Sequence, residues 1–264
     1  MQRDGLTAVI PACNEAGTLR AVVCGVLAHI GRVIVVDDGS TDGTAAVLDG
    51  LCVTVLQNPG HLGKAASLWR GFTAAPGAPA LITLDADGQH DPRDLPRLIE
   101  AYRADREAII VGARLHHKRR VPRGRYYANR LANFWISWAA GQAIPDTQCG
   151  YRIYPQSVLT RLRDRLDRTQ GFVFESEVLI EAARRGIRVV SVPVTAVYPR
   201  GRRSHFKPIA DIAAITRMVA WKLLARGLYP QGLWCYLREL FDARARRGAG
   251  ARREDPGRVL PTEI

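Results

Sequence analysis

The sequence predicts an α/β fold, a mostly parallel sheet flanked by helices with further amphipathic helices at the C-terminal end. Three observations predict it. Short runs rich in Val, Ile and Leu recur through the first half without polar alternation, the pattern of strands covered on both faces. Segments with apolar residues at helical spacing separate those runs. Each run ends in a polar or glycine-bearing loop. Strands alternating with helices build parallel sheets through right-handed crossovers.

The elements follow in order. Leu6 to Ile10 reads as a strand, followed by the tight loop Pro11-Ala12-Cys13-Asn14-Glu15. Leu19, Val22, Val23, Val26, Leu27 and Ile30 mark a helix that Gly31 closes. Arg32 to Val36 is a second strand ending in Asp37-Asp38-Gly39-Ser40, and Thr41 to Leu48 suits a short helix. Cys52 to Gln57 is a third strand. The turn Asn58-Pro59-Gly60-His61-Leu62-Gly63-Lys64 then leads into a helix bearing Leu68, Trp69 and Phe72. Ala80 to Leu84 is a fourth strand, running out into Asp85 and Asp87. Asp91 reads as a helix N-cap, Pro92 as the first helical residue and Asp94 as the return arm of a capping box. That helix carries Leu95, Leu98, Ile99 and Tyr102; Ala108 to Val111 is a fifth strand, ending at Gly112-Ala113-Arg114.

The second half is less regular. Tyr126 to Ala140 reads as a helix with Tyr127, Leu131, Phe134 and Trp138 on one stripe, suited either to a membrane interface or to packing on the sheet. Asp146 to Arg152 is a polar island whose Asp146 and Arg152 pair with each other or face substrate. Gly171 to Glu177 opens a helix that Gly186 ends, with Glu175 and Glu177 complementing its dipole. Ile187 to Tyr198 is extended, and Pro193 marks it as an edge or a bulge. The basic loop Pro199 to Lys207 reads as an anion clamp or as a solvated loop. Ile209 to Leu240 is helical, broken near Gly227 to Gly232, and its Trp221, Leu224, Leu228 and Trp234 suit lipid, the sheet or a second copy of the chain. Ala245 to Ile264 is expected to be a disordered tail. The domain reading is 1–207 for one α/β unit (halves 1–114 and 115–207), 208–244 for amphipathic helices and 245–264 for the tail.

Composition narrows the partners. The 264 residues carry a net charge of +13, which favours anionic partners: nucleotides, lipid phosphate or nucleic acid. Against nucleic acid, the aromatics lie on helical apolar stripes rather than on a stacking sheet. An odd, widely spaced set of cysteines with no CxxC pair argues for a reducing compartment and against zinc. No run of about 18 apolar residues predicts a membrane span, so attachment would be peripheral, at a cytoplasmic face. No acidic residue occurs from Ala108 to Pro145 or from Ala182 to Ala210, so both stretches await an anion.

The chemistry concentrates at strand ends. In an open α/β sheet, ligands bind beyond the carboxyl ends of the strands. The loop after the first strand lacks GxGxxG, and Gly60 to Lys64 is too short for a P-loop. Asp37 and Asp38 fit either nucleotide binding or simple turn hydrogen bonds. Asp85 and Asp87 at one buried strand end are costlier, and a hard divalent ion shared with phosphate is their natural partner. The arginine blocks would hold a second anion. Together these describe group transfer from a nucleotide diphosphate to an anionic acceptor.

Seven segments carry a family resemblance: IPACNEAGTL at 10–19, VIVVDDGSTDGT at 33–44, NPGHLGKAASLWRGF at 58–72, LDADGQHDP at 84–92, VGAR at 111–114, DTQCGYR at 146–152 and GFVFESEVL at 171–179. In that order they resemble the family 2 glycosyltransferases of GT-A fold, a Rossmann-like architecture, and within them the dolichyl- or polyprenyl-phosphate mannosyl- and glucosyltransferases. The resemblance implies that Pro11, Asn14 and Glu15 line the nucleotide pocket, that Asp38 contacts the base and that Lys64 belongs to the donor site. It makes Asp85-Ala86-Asp87 the DxD motif, with Gln89 joining Asp85 and Asp87 at Mg2+ or Mn2+. Arg114 and Arg130 would face the acceptor phosphate, and Arg202 would close on the donor diphosphate. Asp146 and Arg152 match the acceptor-side motif. The implied donor is GDP-mannose or UDP-glucose and the implied acceptor a polyprenyl phosphate, with Asp146 as general base if the acceptor is instead a hydroxyl. Many relatives carry C-terminal membrane spans, and none is expected here.

Overall fold

The computed structural model describes residues 5–114, 123–166, 173–197 and 208–251. Strands Thr7–Ala12 (β1), Arg32–Asp37 (β2), Thr54–Gln57 (β3), Ala80–Thr83 (β4), Ile109–Ala113 (β5), Arg152–Pro155 (β6) and Val189–Pro193 (β7) form one sheet in the order β3-β2-β1-β4-β6-β5-β7. All neighbouring pairs are parallel except those made by β6, which runs antiparallel between β4 and β5. The expected apolar runs became strands because β1, β2, β4 and β5 are buried on both faces. Pro193 does end an edge strand, where its missing N–H costs nothing.

Helices Leu19–Leu27 (α1), Lys64–Thr73 (α2), Leu95–Ala104 (α3), Arg123–Ala140 (α4), Gln156–Leu166 (α5), Val173–Arg184 (α6), Pro208–Leu224 (α7) and Pro230–Ala251 (α8) surround it. Trp69 and Phe72 of α2 meet Phe174 of α6 edge-on and tilted, and Phe72 also meets Tyr154 of β6, so both helices share one face of the sheet. Gly71 lies against Val9 and Val36 with no room for a side chain, which brings α2 down onto β1 and β2.

Several expectations are corrected here. Asp91 caps as expected, accepting from the Arg93 N–H at 3.0 Å, but it caps a 3-10 turn, Pro92–Asp94. Asp94 does not complete a capping box. Its Oδ2 accepts instead from the Thr195 N–H at 2.6 Å, tying this turn to the end of β7. The helix α8 continues to Ala251, so the tail cannot begin at Ala245. Ala and Arg are good helix formers, and the composition that looked unstructured there sustains a helix. The aromatic stripe of α4 divides. Phe134 and Trp138 pack toward α8 through Tyr236 and Tyr229, whereas Tyr127 and Leu131 are exposed. Nor do α7 and α8 cover the sheet. Ile215, Val219 and Leu223 join Ile136, Ala139 and Ile180 in a separate core between α4, α6 and α7. No helix among the described residues is long and apolar enough to cross a membrane.

Candidate active site

Parallel strands end at one edge, so the loops after β1, β2, β3, β4 and β5 gather there, bringing Asn14, Asp38, Lys64, Asp87 and Arg114 to a common rim as expected. Because β6 is antiparallel, it begins at that rim, which delivers the loop Asp146 to Tyr151 to the same place.

At its centre stands Lys64, the first residue of α2. Its Nζ lies 2.5 Å from Asp85 Oδ1 and 3.0 Å from Glu175 Oε1. The other Asp85 oxygen sits 3.3 Å from Nε2 of His90, a buried ring packed beside Tyr151. Burial alone would raise the Asp85 carboxyl, but the Lys64 ammonium and then the His90 bond hold it far below the usual carboxylate range. Burial likewise works against charge on Lys64, and the two carboxylates outweigh it. Gly150 roofs this cluster: a Cβ there would fall 2.9 Å from Asp85 Oδ2, Glu175 Oε1 and Lys64 Nζ. Glu175 therefore belongs to the site. Its sequence position at a helix start pointed to the dipole, and only the fold shows that it meets a lysine from a distant loop.

Asp87 differs from Asp85. Burial first, then the Asp85 charge, raises its carboxyl above the ordinary value. Its Oδ1 accepts from the Gln89 N–H at 2.9 Å. Hard oxygen donors whose ionised form is disfavoured fit a divalent cation. Among the described residues no three His, Cys, Asp or Glu side chains converge on a metal position, so the remaining ligands would come from phosphate and water. Asp85, expected at the metal, has one carboxylate oxygen on Lys64 and the other on His90.

The nucleotide-side residues are mutually bonded. Asn14, at φ +54°, accepts from the Thr41 N–H at 2.9 Å, and its own N–H donates to Ser40 Oγ. Glu15 accepts from Thr18 Oγ1, which also donates to the Ala86 carbonyl, linking the loop after β1 to the DxD motif. Pro11 is half-buried at the end of β1. Asp38, expected at the base, is bonded to the loop after β3. Its carboxylate accepts from Asn58 Nδ2 at 2.7 Å, Leu62 N–H at 2.9 Å and Gly63 N–H at 2.8 Å. Burial opposes its ionisation, yet these bonds hold the carboxyl below its ordinary range.

On the acceptor side Arg114 grips Asp146. Nε donates to Oδ2 at 2.7 Å, Nη2 to Oδ1 at 3.0 Å and the Arg114 N–H to Oδ2 at 3.2 Å. Burial would raise the Asp146 carboxyl, and Arg114 overrides it to a net lowering. Arg152 does not pair with Asp146; its partners are backbone carbonyls and a tyrosine. It is 0 % exposed and donates to the carbonyls of Cys149, Glu175 and Thr147 and to Tyr154 Oη. Arg130 is exposed one turn before Asn133, whose side chain holds Pro145 and Thr147. Arg202 lies outside the described residues; Val197, the last described residue before it, donates its N–H to the Gln89 carbonyl in the loop after β4 at 3.0 Å.

One consequence concerns acid. Asp38, Asp85 and Asp146 all have folded-state values below the ordinary 3.8. A depressed folded pKa stabilises the fold above the unfolded value, and that stability is lost as pH falls toward the folded one. Melting temperature should hold from about pH 6 to about pH 4 and fall below it, and Asp146→Asn should flatten that fall.

The family model described as "Glycosyl transferase family 2" matches residues 7–163. The chain belongs to this family. The transferase is 32% identical over 201 residues to the polyprenol monophosphomannose synthase of Mycolicibacterium smegmatis, covering 71% of this chain and 75% of that one. It is 30% identical over 236 residues to the undecaprenyl-phosphate mannosyltransferase of Micrococcus luteus, covering 83% and 94%. Its fold matches that of glucosyl-3-phosphoglycerate synthase from Mycobacterium tuberculosis, solved with Mn2+, UDP and phosphoglyceric acid. There the TM-score is 0.62 at 21% identity, over 84% of this chain and 78% of that one. The transferase thus has the GT-A fold its motifs implied.

Proposed function

We propose that the transferase moves a mannose or glucose from GDP-mannose or UDP-glucose to a polyprenyl or dolichyl phosphate in a single inverting displacement. The observation that carries the acceptor half is the Arg114–Asp146 pair. A hydroxyl acceptor needs a general base. The acceptor-side carboxylate is held ionised and bonded by Arg114, which makes it a poor proton acceptor. A phosphate oxygen is already ionised and needs none. It attacks the anomeric carbon, and the bond from that carbon to the donor diphosphate breaks with its electron pair leaving on the nucleoside diphosphate. Arg114, oriented by Asp146, and Arg130 hold the acceptor phosphate; Arg202 closes on the donor. Lys64, Glu175 and His90 fix Asp85 at the donor's edge. Asp87, with Gln89 beside it, would hold Mg2+ or Mn2+, which supplies Lewis-acid stabilisation of the departing diphosphate. The names of the two relatives support the lipid-phosphate acceptor.

The lipid would be met by the outer stripe of the C-terminal helices. Trp221, Leu224 and Leu228, with Trp234 and Phe241 of α8, are 53–72% exposed, and exposed Arg217 and Arg238 accompany them. Apolar on both its inner and outer faces, α7 wants a second apolar medium. Phosphatidylglycerol vesicles should float the protein in the presence of competing DNA. Trp221→Ser with Leu224→Ser should weaken that at least about tenfold, since each large side chain buried is worth roughly 1.5–3 kcal/mol. A changed oligomeric state with unchanged flotation would give the face to a second copy instead.

The reading is tested by incubating the protein with labelled nucleotide sugars, with and without polyprenyl phosphate and Mg2+ or Mn2+. Organic-soluble label that requires both lipid and metal supports it, and names the sugar. Label transferred without the lipid would sink it.

A further inference from the structure

We propose that the His61 imidazole reads the donor's nucleobase through Nε2, with Asp38 as the positioning residue behind it. The inference rests on the donor reading above and deepens it to base selectivity. The ring is 69% exposed, yet it is anchored: Nδ1 lies 2.9 Å from Asp38 Oδ2. Cys13 Sγ, from the loop after β1, lies 3.7 Å from the same nitrogen. The loop that carries the ring is built to stay. Asp38 is 3% exposed and binds the loop's Asn58 side chain and its Leu62 and Gly63 N–H groups. Gly39, at φ +71°, brings the turn so close that a Cβ would fall 2.6 Å from the Gly60 carbonyl carbon and 2.8 Å from the His61 nitrogen.

Asp38 is already engaged through both carboxylate oxygens, so the residue standing between it and solvent is the better reader. An ionised carboxylate only accepts, so Nδ1 carries a proton, and in that tautomer of the imidazole Nε2 is the acceptor. His61 sits where the loops after β1, β2 and β3 meet, at the rim where an open α/β sheet takes its nucleotide. An acceptor there complements uracil and guanine, whose pairing edges carry a ring N–H. Cytosine and adenine present a lone pair at that position and are repelled.

Calorimetry of the intact chain with Mg2+ and UDP, GDP, CDP or ADP tests this, using His61→Ala and His61→Phe. The wild type is expected to bind UDP or GDP roughly tenfold or more above CDP and ADP, and both variants to lose that gap while their CDP and ADP affinities barely move. His61→Phe keeping the gap, or both variants weakening all four nucleotides equally, would overturn the assignment. If the wild type binds no nucleoside diphosphate, the donor reading falls and takes this inference with it. If it discriminates and the variants still discriminate, only the His61 assignment falls.

Discussion

Asp87→Asn should lose sugar transfer by at least about 100-fold while melting no lower than the wild type. The two halves of that result have one cause. Asp87 is half-buried beside Asp85, and its carboxyl is raised by that burial and by the neighbouring charge. A raised folded pKa means that the ionised form costs the fold stability at neutral pH. Removing the charge removes the cost, so in metal-free buffer the melting temperature should stay level or rise. Activity moves the other way, because stabilising the leaving diphosphate through a metal is worth several kcal/mol at the transition state. Added Mg2+ with a nucleoside diphosphate should raise the melting temperature of the wild type and not of the variant. A variant that melts much lower and loses activity only in proportion would make Asp87 a structural residue.

Arg152→Ala should cost about 3 kcal/mol or more, a drop of roughly 10 °C in melting temperature. The guanidinium satisfies three carbonyls, those of Cys149, Thr147 and Glu175, and the Tyr154 hydroxyl, with no exposed surface of its own. Truncation takes a charged donor away from all four buried groups at once. It also frees the loop before β6 from the start of α6, and so loosens Gly150 and Glu175 around Lys64. Loss of activity should follow the loss of fold across temperature. Arg152→Lys cannot span the same partners and should recover little. A variant that melts normally but transfers no sugar would restore Arg152 to the substrate.

Much of this was legible before the fold. The uninterrupted apolar runs became β1, β2, β4 and β5, and their polar ends became the rim, because a strand buried on both faces leaves its chemistry only at its ends. β6 was not legible. Its four residues open on an arginine and close on a proline, and nothing local announces that Arg152 would be buried among carbonyls. The same limit hid the partners of Glu175 and of Asp38. A carboxylate's type and spacing say that it will be paired, whereas the partner is chosen by which loops the sheet order brings together. Lys64 reaches Glu175 because α2 and α6 share a face, and Asp38 holds the loop after β3 because β3 lies beside β2.

The most direct measurement sets a polyprenyl phosphate against the matching polyprenyl alcohol, each offered with labelled donor and metal. The locked Arg114–Asp146 pair predicts transfer to the phosphate and none to the alcohol. Transfer to the alcohol, abolished by Asp146→Asn, would show that Asp146 leaves Arg114 to act as a base, and would contradict the account.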